Sequence, residues 1–298
     1  METREAYATR TGAVAKLKDV ATLFKLRLAS LVVVSAVLGY AMAVPAGGFS
    51  TVEALLLALG GLLVTGASDA LNQVIEVEQD GRMARTNQRP LVRGSMGMAE
   101  AITIAVAAGA AGTIILWNTF GPLTGILGLL SLFMYVALYT PLKRLSSWAV
   151  FVGAFPGAFP PMLGYVAATG TFSLGAGLLF AMQFMWQFPH FWSISWVLHD
   201  DYAKAGYHLL PSRGGRDGFS GFLIGLYTFF ALLAGLLPWV FGLAGPWSAL
   251  VAVVLGLYML LHALRLMRSL DKADARRLMF ASFLYLPVVQ LAYVVDKL

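Results

Sequence analysis

Asn72, Glu76 and Asp80 recur at four-residue intervals within NQVIEVEQDGRMARTNQRPLVRG, residues 72–94. If a helix runs through them, that spacing aligns three oxygen-bearing side chains along one face over about 12 Å. Hard divalent cations take oxygen ligands, and Mg²⁺ commonly binds through one or two carboxylates together with substrate phosphates. Arg82, Arg85, Arg89 and Arg93 follow at once, and a guanidinium fork grips phosphate oxygens in two places. Acids for a metal and cations for an anion form one coherent reading. The other is an ordinary charged loop at a membrane surface, since N-x3-E-x3-D is a short pattern. Glu78 falls on a different helical face and is expected to be solvated.

A second polar concentration is QFPHFWSISWVLHDDYAKAGYHLLPSRGG, which runs from an aromatic helix into a loop with His190, His199, Asp200, Asp201, Lys204, His208, Arg213 and Arg216. His262 is the fourth histidine of the chain. A histidine at membrane depth is expensive, so His190 reads either as functional or as hydrogen-bonded inside a helix bundle. Asp200-Asp201 carries little weight alone, because helix ends at an interface often bear acids. Aromatics such as Phe184, Trp186, Phe188, Phe191 and Trp192 could line a pocket or simply pack.

The elements that must hold these groups are membrane helices. Hydrophobic residues make up 59% of the chain, charged residues 12%, and the mean hydropathy is +0.75, well outside the range of soluble domains. A span needs about 20 apolar residues. Nine such stretches are read, at about 27–45, 52–74, 98–118, 121–140, 147–168, 174–198, 218–242, 247–267 and 277–295. With that count, every basic residue except Lys297 falls on one side, the cytoplasmic side by the positive-inside rule. The expectation is an all-α polytopic membrane protein of nine transmembrane helices with a cytoplasmic N-terminus. Residues 1–26 form a cytoplasmic tail and 27–298 a single intramembrane domain. The net charge of +6 then reports topology, and no nucleic-acid partner is expected. Glu2, Glu5 and Asp19 argue against a cleaved signal, and the absence of cysteine excludes disulfides and thiolate ligands. Prolines 156, 160 and 161, with Gly153, Gly157 and Gly164, are expected to bend or open the fifth span.

Four segments carry a family resemblance: residues 72–94, YTPLKR at 139–144, VGAFPGAFPPMLGYVAATG at 152–170, and 187–211. In their order and within the nine-span plan, the chain resembles the protohaem IX farnesyltransferases, or haem O synthases, of the UbiA-type intramembrane prenyltransferase superfamily. The resemblance implies transfer of a farnesyl group from farnesyl diphosphate to a vinyl group of haem b, with addition of water. It implies Mg²⁺ as cofactor, membrane lipid as surroundings, and a haem A synthase or oxidase assembly factor as partner. The active site would face the cytoplasm from a bacterial inner membrane. Asn72, Glu76 and Asp80 would form the first metal motif, with Glu76 where many relatives have Asp. Asp200 and Asp201 would form a reduced second one. Arg85, Arg89, Lys143 and Arg144, then Lys204 and Arg213, are the implied diphosphate contacts, and Tyr139 is a substrate-binding residue of the YTPLKR segment.

This chain departs from the quinone-type relatives at His190, which stands where their second motif begins with Asp. One carboxylate fewer puts a second Mg²⁺ in question. Neutral imidazole is a common haem ligand, so His190 becomes a candidate contact to haem, with His199 and His208 competing. A quinone or other tetrapyrrole acceptor would use the same metal loop, but the His190 segment and the PGAFPP helix argue against it. A transporter would carry charge near mid-bilayer, whereas the charges here lie at one surface.

Overall fold

A computed structural model describes residues 12–298. Arg4 and Arg10, with the rest of residues 1–11 of the expected tail, lie outside the described residues. Residues Ala13–Leu23 form helix α1. It is tied down by Asp19 to Arg93, by Lys16 to Glu100 at 2.8 Å, and by the Gln73 amide donating to the Leu23 carbonyl at 2.6 Å. The chain turns at Lys25, which sits at φ +44°, and enters α2, Leu26–Ala43.

The remaining long helices follow in sequence. They are α3 (Thr51–Ile75), then after the short α4 (Val77–Arg82), α5 (Met98–Phe120), α6 (Pro122–Leu142), α7 (Ala149–Thr169) and α8 (Leu174–Val197). The short α9 (His199–Lys204) leads to α10 (Gly218–Val240), α11 (Pro246–Ser269) and α12 (Lys272–Val295). Each expected span coincides with one of these helices to within a few residues. Eight are long and apolar enough to cross a membrane, and α8 has the length at 24 residues but carries more polar groups. Large apolar side chains such as Leu31, Val106, Leu257 and Leu284 are exposed around the bundle, a surface made for lipid rather than water.

The polar groups of α8 have an identifiable purpose. Pro161 has no N–H, so the Gly157 carbonyl one turn earlier in α7 loses its helical partner. The side-chain amides of Gln183 and Gln187 donate to that carbonyl at 2.7 and 2.8 Å. Gln183 also accepts from Ser35 of α2 and from Gln290 of α12, at 2.9 and 2.7 Å. In lipid each backbone group must be satisfied within the protein, and here four helices share the task. The expected opening of the fifth span does not occur: α7 runs continuously through all three prolines.

Glycine sets how closely α7 approaches its neighbour. A Cβ on Gly164 would collide with the Ala36 carbonyl of α2, and one on Gly39 with the Pro161 carbonyl of α7. Small residues at such crossings let backbones touch and dispersion forces accumulate. Gly164→Ala should therefore lower the thermal midpoint in detergent, at a cost of about 1–3 kcal/mol for overpacking. Gly177→Ala, where nothing lies within 4 Å, should leave that midpoint unchanged.

Candidate functional site

The first acidic motif does not lie on a continuous helix. Helix α3 ends at Ile75, Glu76 takes φ −103° and ψ 14°, and α4 starts at Val77. The hydrogen bonds from Glu76 N to Asn72 O and from Asp80 N to Glu76 O survive this break, at 3.0 and 2.8 Å. Asn72, Glu76 and Asp80 therefore still line one cavity of about 210 Å³, and all three are buried. Glu78 is exposed and pairs with Arg82.

A π-helical stretch, Met134–Tyr139, builds the opposite wall. Pro141 follows within a turn, and wide turns of this kind occur where the regular ladder is interrupted. Tyr135 and Tyr139 both line the cavity, their ring centroids 5.2 Å apart. Thr140 accepts from the Asn72 amide at 3.0 Å, and Lys143 extends to Glu76, with Nζ 2.6 Å from Oε1 and 2.8 Å from Oε2. Gly153 of α7 completes this corner, because a Cβ there would strike the Tyr139 ring.

Each motif acid is thus matched to a cation. Glu76 faces Lys143, and Asp80 pairs with Arg89. Burial raises the Asp80 carboxyl above the usual carboxylate range, although Arg89 pulls it down. Burial likewise lowers the Lys143 ammonium below the usual lysine value, against the pull of Glu76. Two further cations line the cavity. Arg85 lies 6.0 Å from the Tyr202 ring centre, and Lys25 donates to Asp69 at 2.8 Å with its Nζ 3.5 Å from Asn72 Oδ1. Four cations around two lining carboxylates make a cavity suited to a polyanion accompanied by metal.

The donor set also fits Mg²⁺. Asp80 Oδ1 is buried with no hydrogen-bond partner, and Glu76 Oε1 has the Lys143 charge beside it but no aligned hydrogen bond. Among the described residues no group of three or more His, Asp or Glu side chains is arranged to hold a metal. A cation here would need ligands from the substrate as well, which is the usual habit of Mg²⁺.

Other expected residues lie elsewhere. Arg144, Asp200, Asp201, Lys204, Arg213, His190 and His199 do not line the cavity. Asp200 is exposed and forms a two-pronged pair with Arg216 at 3.1 and 3.2 Å, which turns its carboxylate away. Asp201 is occupied in bracing the arginine loop, accepting from the backbone N–H groups of Ala84 and Arg85 at 3.0 and 3.5 Å and lying 3.5 Å from Lys204. His190 is buried against Trp186 and Phe283, with Nδ1 2.9 Å from Ser282 Oγ. His199 packs over Gly215, and burial together with Arg216 lowers its pKa. Arg213 is exposed. Of the five aromatics named from the sequence only Phe191 reaches the cavity wall; Phe184 and Phe188 instead join the aromatic packing between α7, α8 and α10.

Several lining residues carried no signal of their own in the sequence. Lys25 counts there only as one more positive charge, and its role depends on the left-handed turn that folds it inward. Tyr135 could have been found from its four-residue spacing to Tyr139 in a helix. Asp69, which lies beside Lys25 and Tyr135, stands one turn before Asn72. Tyr202 and Tyr207 enter from beyond α8.

Known proteins agree with this architecture. The UbiA prenyltransferase family matches residues 32–286. A protohaem IX farnesyltransferase from Christiangramia forsetii is 47% identical over 94% of each chain, and one from Cytophaga hutchinsonii is 44% identical over 93% of this chain and 96% of its own. Among solved structures, one from work on digeranylgeranylglyceryl phosphate synthase superposes with a TM-score of 0.78 at 16% identity, covering 94% of this chain and 98% of that one. A UbiA homologue from Archaeoglobus fulgidus, bound to GPP and Mg²⁺, superposes with a TM-score of 0.64 at 11% identity over 93% of this chain and 99% of its own. The family match spans most of the chain, and with relatives this similar along nearly its whole length, the chain belongs to the UbiA prenyltransferase family.

Proposed function

We propose that this chain transfers the farnesyl group of farnesyl diphosphate to a vinyl group of haem b, yielding haem O and diphosphate with Mg²⁺ as cofactor. The observation that carries the reading is near-end-to-end similarity to protohaem IX farnesyltransferases in a chain whose cavity joins buried acids to cations.

Mg²⁺ would be held by Asn72, Glu76 and Asp80 and, when bound, neutralises charge on the diphosphate. Metal at Glu76 and Asp80 would free Lys143 and Arg89 from their carboxylates, and with Arg85 they would bind the diphosphate oxygens. The allylic C–O bond breaks with its electron pair going to the diphosphate. The vinyl π electrons then form the new C–C bond, and water captures the second cation, losing a proton to the released diphosphate. The cations of the cavity are preorganised for charge that develops on the leaving group. At about 210 Å³ the cavity is smaller than the roughly 300–1,000 Å³ of most ligand sites. It suits the polar head of the donor, while the isoprenoid tail and the acceptor would lie against the lipid-facing helices.

The described basic residues, Lys297 excepted, lie in the alternate connections along the nine long helices or in the helix turns that flank those connections. That pattern supports nine spans, a cytoplasmic N-terminus and a single domain over 27–298. The cavity, at the same end as these connections, would open to the cytoplasmic side of a bacterial inner membrane. A haem A synthase or an oxidase assembly factor would receive the product.

The direct test is incubation of the detergent-solubilised protein with haem b, farnesyl diphosphate and Mg²⁺, followed by mass spectrometry. A hydroxyethylfarnesyl haem that requires Mg²⁺ is the expected product, and none with any prenyl diphosphate would refute the reading. Asp80→Asn and Glu76→Gln should each reduce turnover by about 10²–10³-fold, the range seen when a preorganised charge partner is lost. Asp200→Asn, in an exposed pair with Arg216, should change it less than threefold, as a surface ion pair contributes little. Lys25→Met should mainly raise the KM for farnesyl diphosphate, whereas Lys25→Arg should retain most of the affinity.

A further inference from the structure

Tyr207 is 3% exposed and lines the cavity together with Glu76, Asp80, Arg89 and Lys143. Its hydroxyl is buried and makes no well-formed hydrogen bond, and the acceptor it faces is the Glu76 carboxylate, whose Oε1 is likewise without an aligned donor. Leaving a buried hydroxyl unpaired is unfavourable, and native proteins keep few such groups without a use for them.

The placement of this ring is closely specified. Just past the end of α9, Gly206 sits at φ +75°, a conformation that suits glycine. The next N–H, that of Tyr207, then donates back to the Tyr202 carbonyl at 3.0 Å. Leu209 and Leu210 are buried just beyond and anchor the segment. The Tyr207 ring centre lies 5.6 Å from Lys143 Nζ, and the Tyr139 ring centre lies 4.9 Å from the same ammonium. The ring thus steadies a cation, but the hydroxyl takes no part in that contact.

A phenol carries its proton at neutral pH and is therefore a hydrogen-bond donor. Once metal occupies Glu76, the partner that fits a donor beside Lys143 and Arg89 is an anionic oxygen brought by a ligand. Lys143 and Arg89 must give up well-formed pairs with carboxylates before they meet such an oxygen, whereas the Tyr207 hydroxyl gives up only a poorly formed contact with Glu76. Most of its hydrogen bond is therefore gained when the ligand arrives.

We propose that Tyr207 is a further catalytic residue, whose hydroxyl donates a hydrogen bond to the diphosphate of the prenyl donor as the allylic C–O bond breaks and its electron pair passes to that group. The proton stays on Tyr207. This role rests on the prenyltransferase reading above and adds a contact to the leaving group.

The test uses the full-length solubilised protein with Tyr207→Phe, which keeps the ring beside Lys143, and Tyr207→Leu, which removes it. Two quantities are read: turnover with farnesyl diphosphate and haem b, and inhibition by inorganic diphosphate with Mg²⁺. Tyr207→Phe is expected to lower kcat about 10–100-fold and to weaken diphosphate inhibition about tenfold, as for loss of a hydrogen bond to a charged group, with the thermal midpoint unchanged. Tyr207→His, which keeps a donor, should recover part of the diphosphate affinity. Wild-type turnover and inhibition in Tyr207→Phe, with loss only in Tyr207→Leu, would assign the residue to ring packing and overturn the proposal. No prenylated product from the wild type would instead refute the prenyltransferase reading on which the proposal stands.

Discussion

The structure depends on keeping charge inside an apolar bundle. Glu76 with Lys143 and Asp80 with Arg89 are buried ion pairs, and removing one partner of such a pair leaves an uncompensated charge in a poor solvent. Replacing both by apolar residues is often neutral or stabilising in other proteins, so these pairs are poor candidates for a purely stabilising role. They are better understood as a charge store. Each carboxylate is held by a cation that a metal could displace, and each displaced cation would then be free for phosphate.

The local backbone serves that store. The break at Glu76 re-aims the end of α3 without losing its hydrogen bonds, and the π-helical stretch before Pro141 turns Tyr135, Tyr139 and Lys143 toward it. Helix α1 is tied to Arg93 and Glu100, so the turn at Lys25 delivers a fourth cation. Below the cavity, the glutamines of α8 satisfy the carbonyl that Pro161 leaves free and bring α2, α7 and α12 together. That network joins α2, α7 and α8, other turns of which line the cavity.

Much of the framework is legible in the sequence because it rests on period and length. Nine apolar stretches, the basic residues gathered around alternate connections between them and the N-x3-E-x3-D spacing can all be read without coordinates. What escapes is whatever depends on tertiary direction. Asp200 and Asp201 look like ligands in the chain, yet one turns to Arg216 and the other to the backbone of the arginine loop. Nothing in the chain near His190 announces that its Nδ1 meets Ser282, nearly a hundred residues later. Lys25 and Tyr207 reach the cavity through positive-φ residues, Lys25 itself and Gly206 before Tyr207. Backbone reversals of that kind have no hydrophobic period to announce them.

The central claim is that Glu76 and Asp80 exchange their cations for metal only when a diphosphate is present to receive those cations. Mn²⁺ serves as a paramagnetic probe of that exchange, titrated into the solubilised protein with and without inorganic diphosphate and followed by electron paramagnetic resonance. The account predicts weak Mn²⁺ binding alone, markedly tighter binding with diphosphate, and loss of the diphosphate-dependent signal in Asp80→Asn. Equally tight binding without diphosphate, or an unaltered signal in Asp80→Asn, would contradict it.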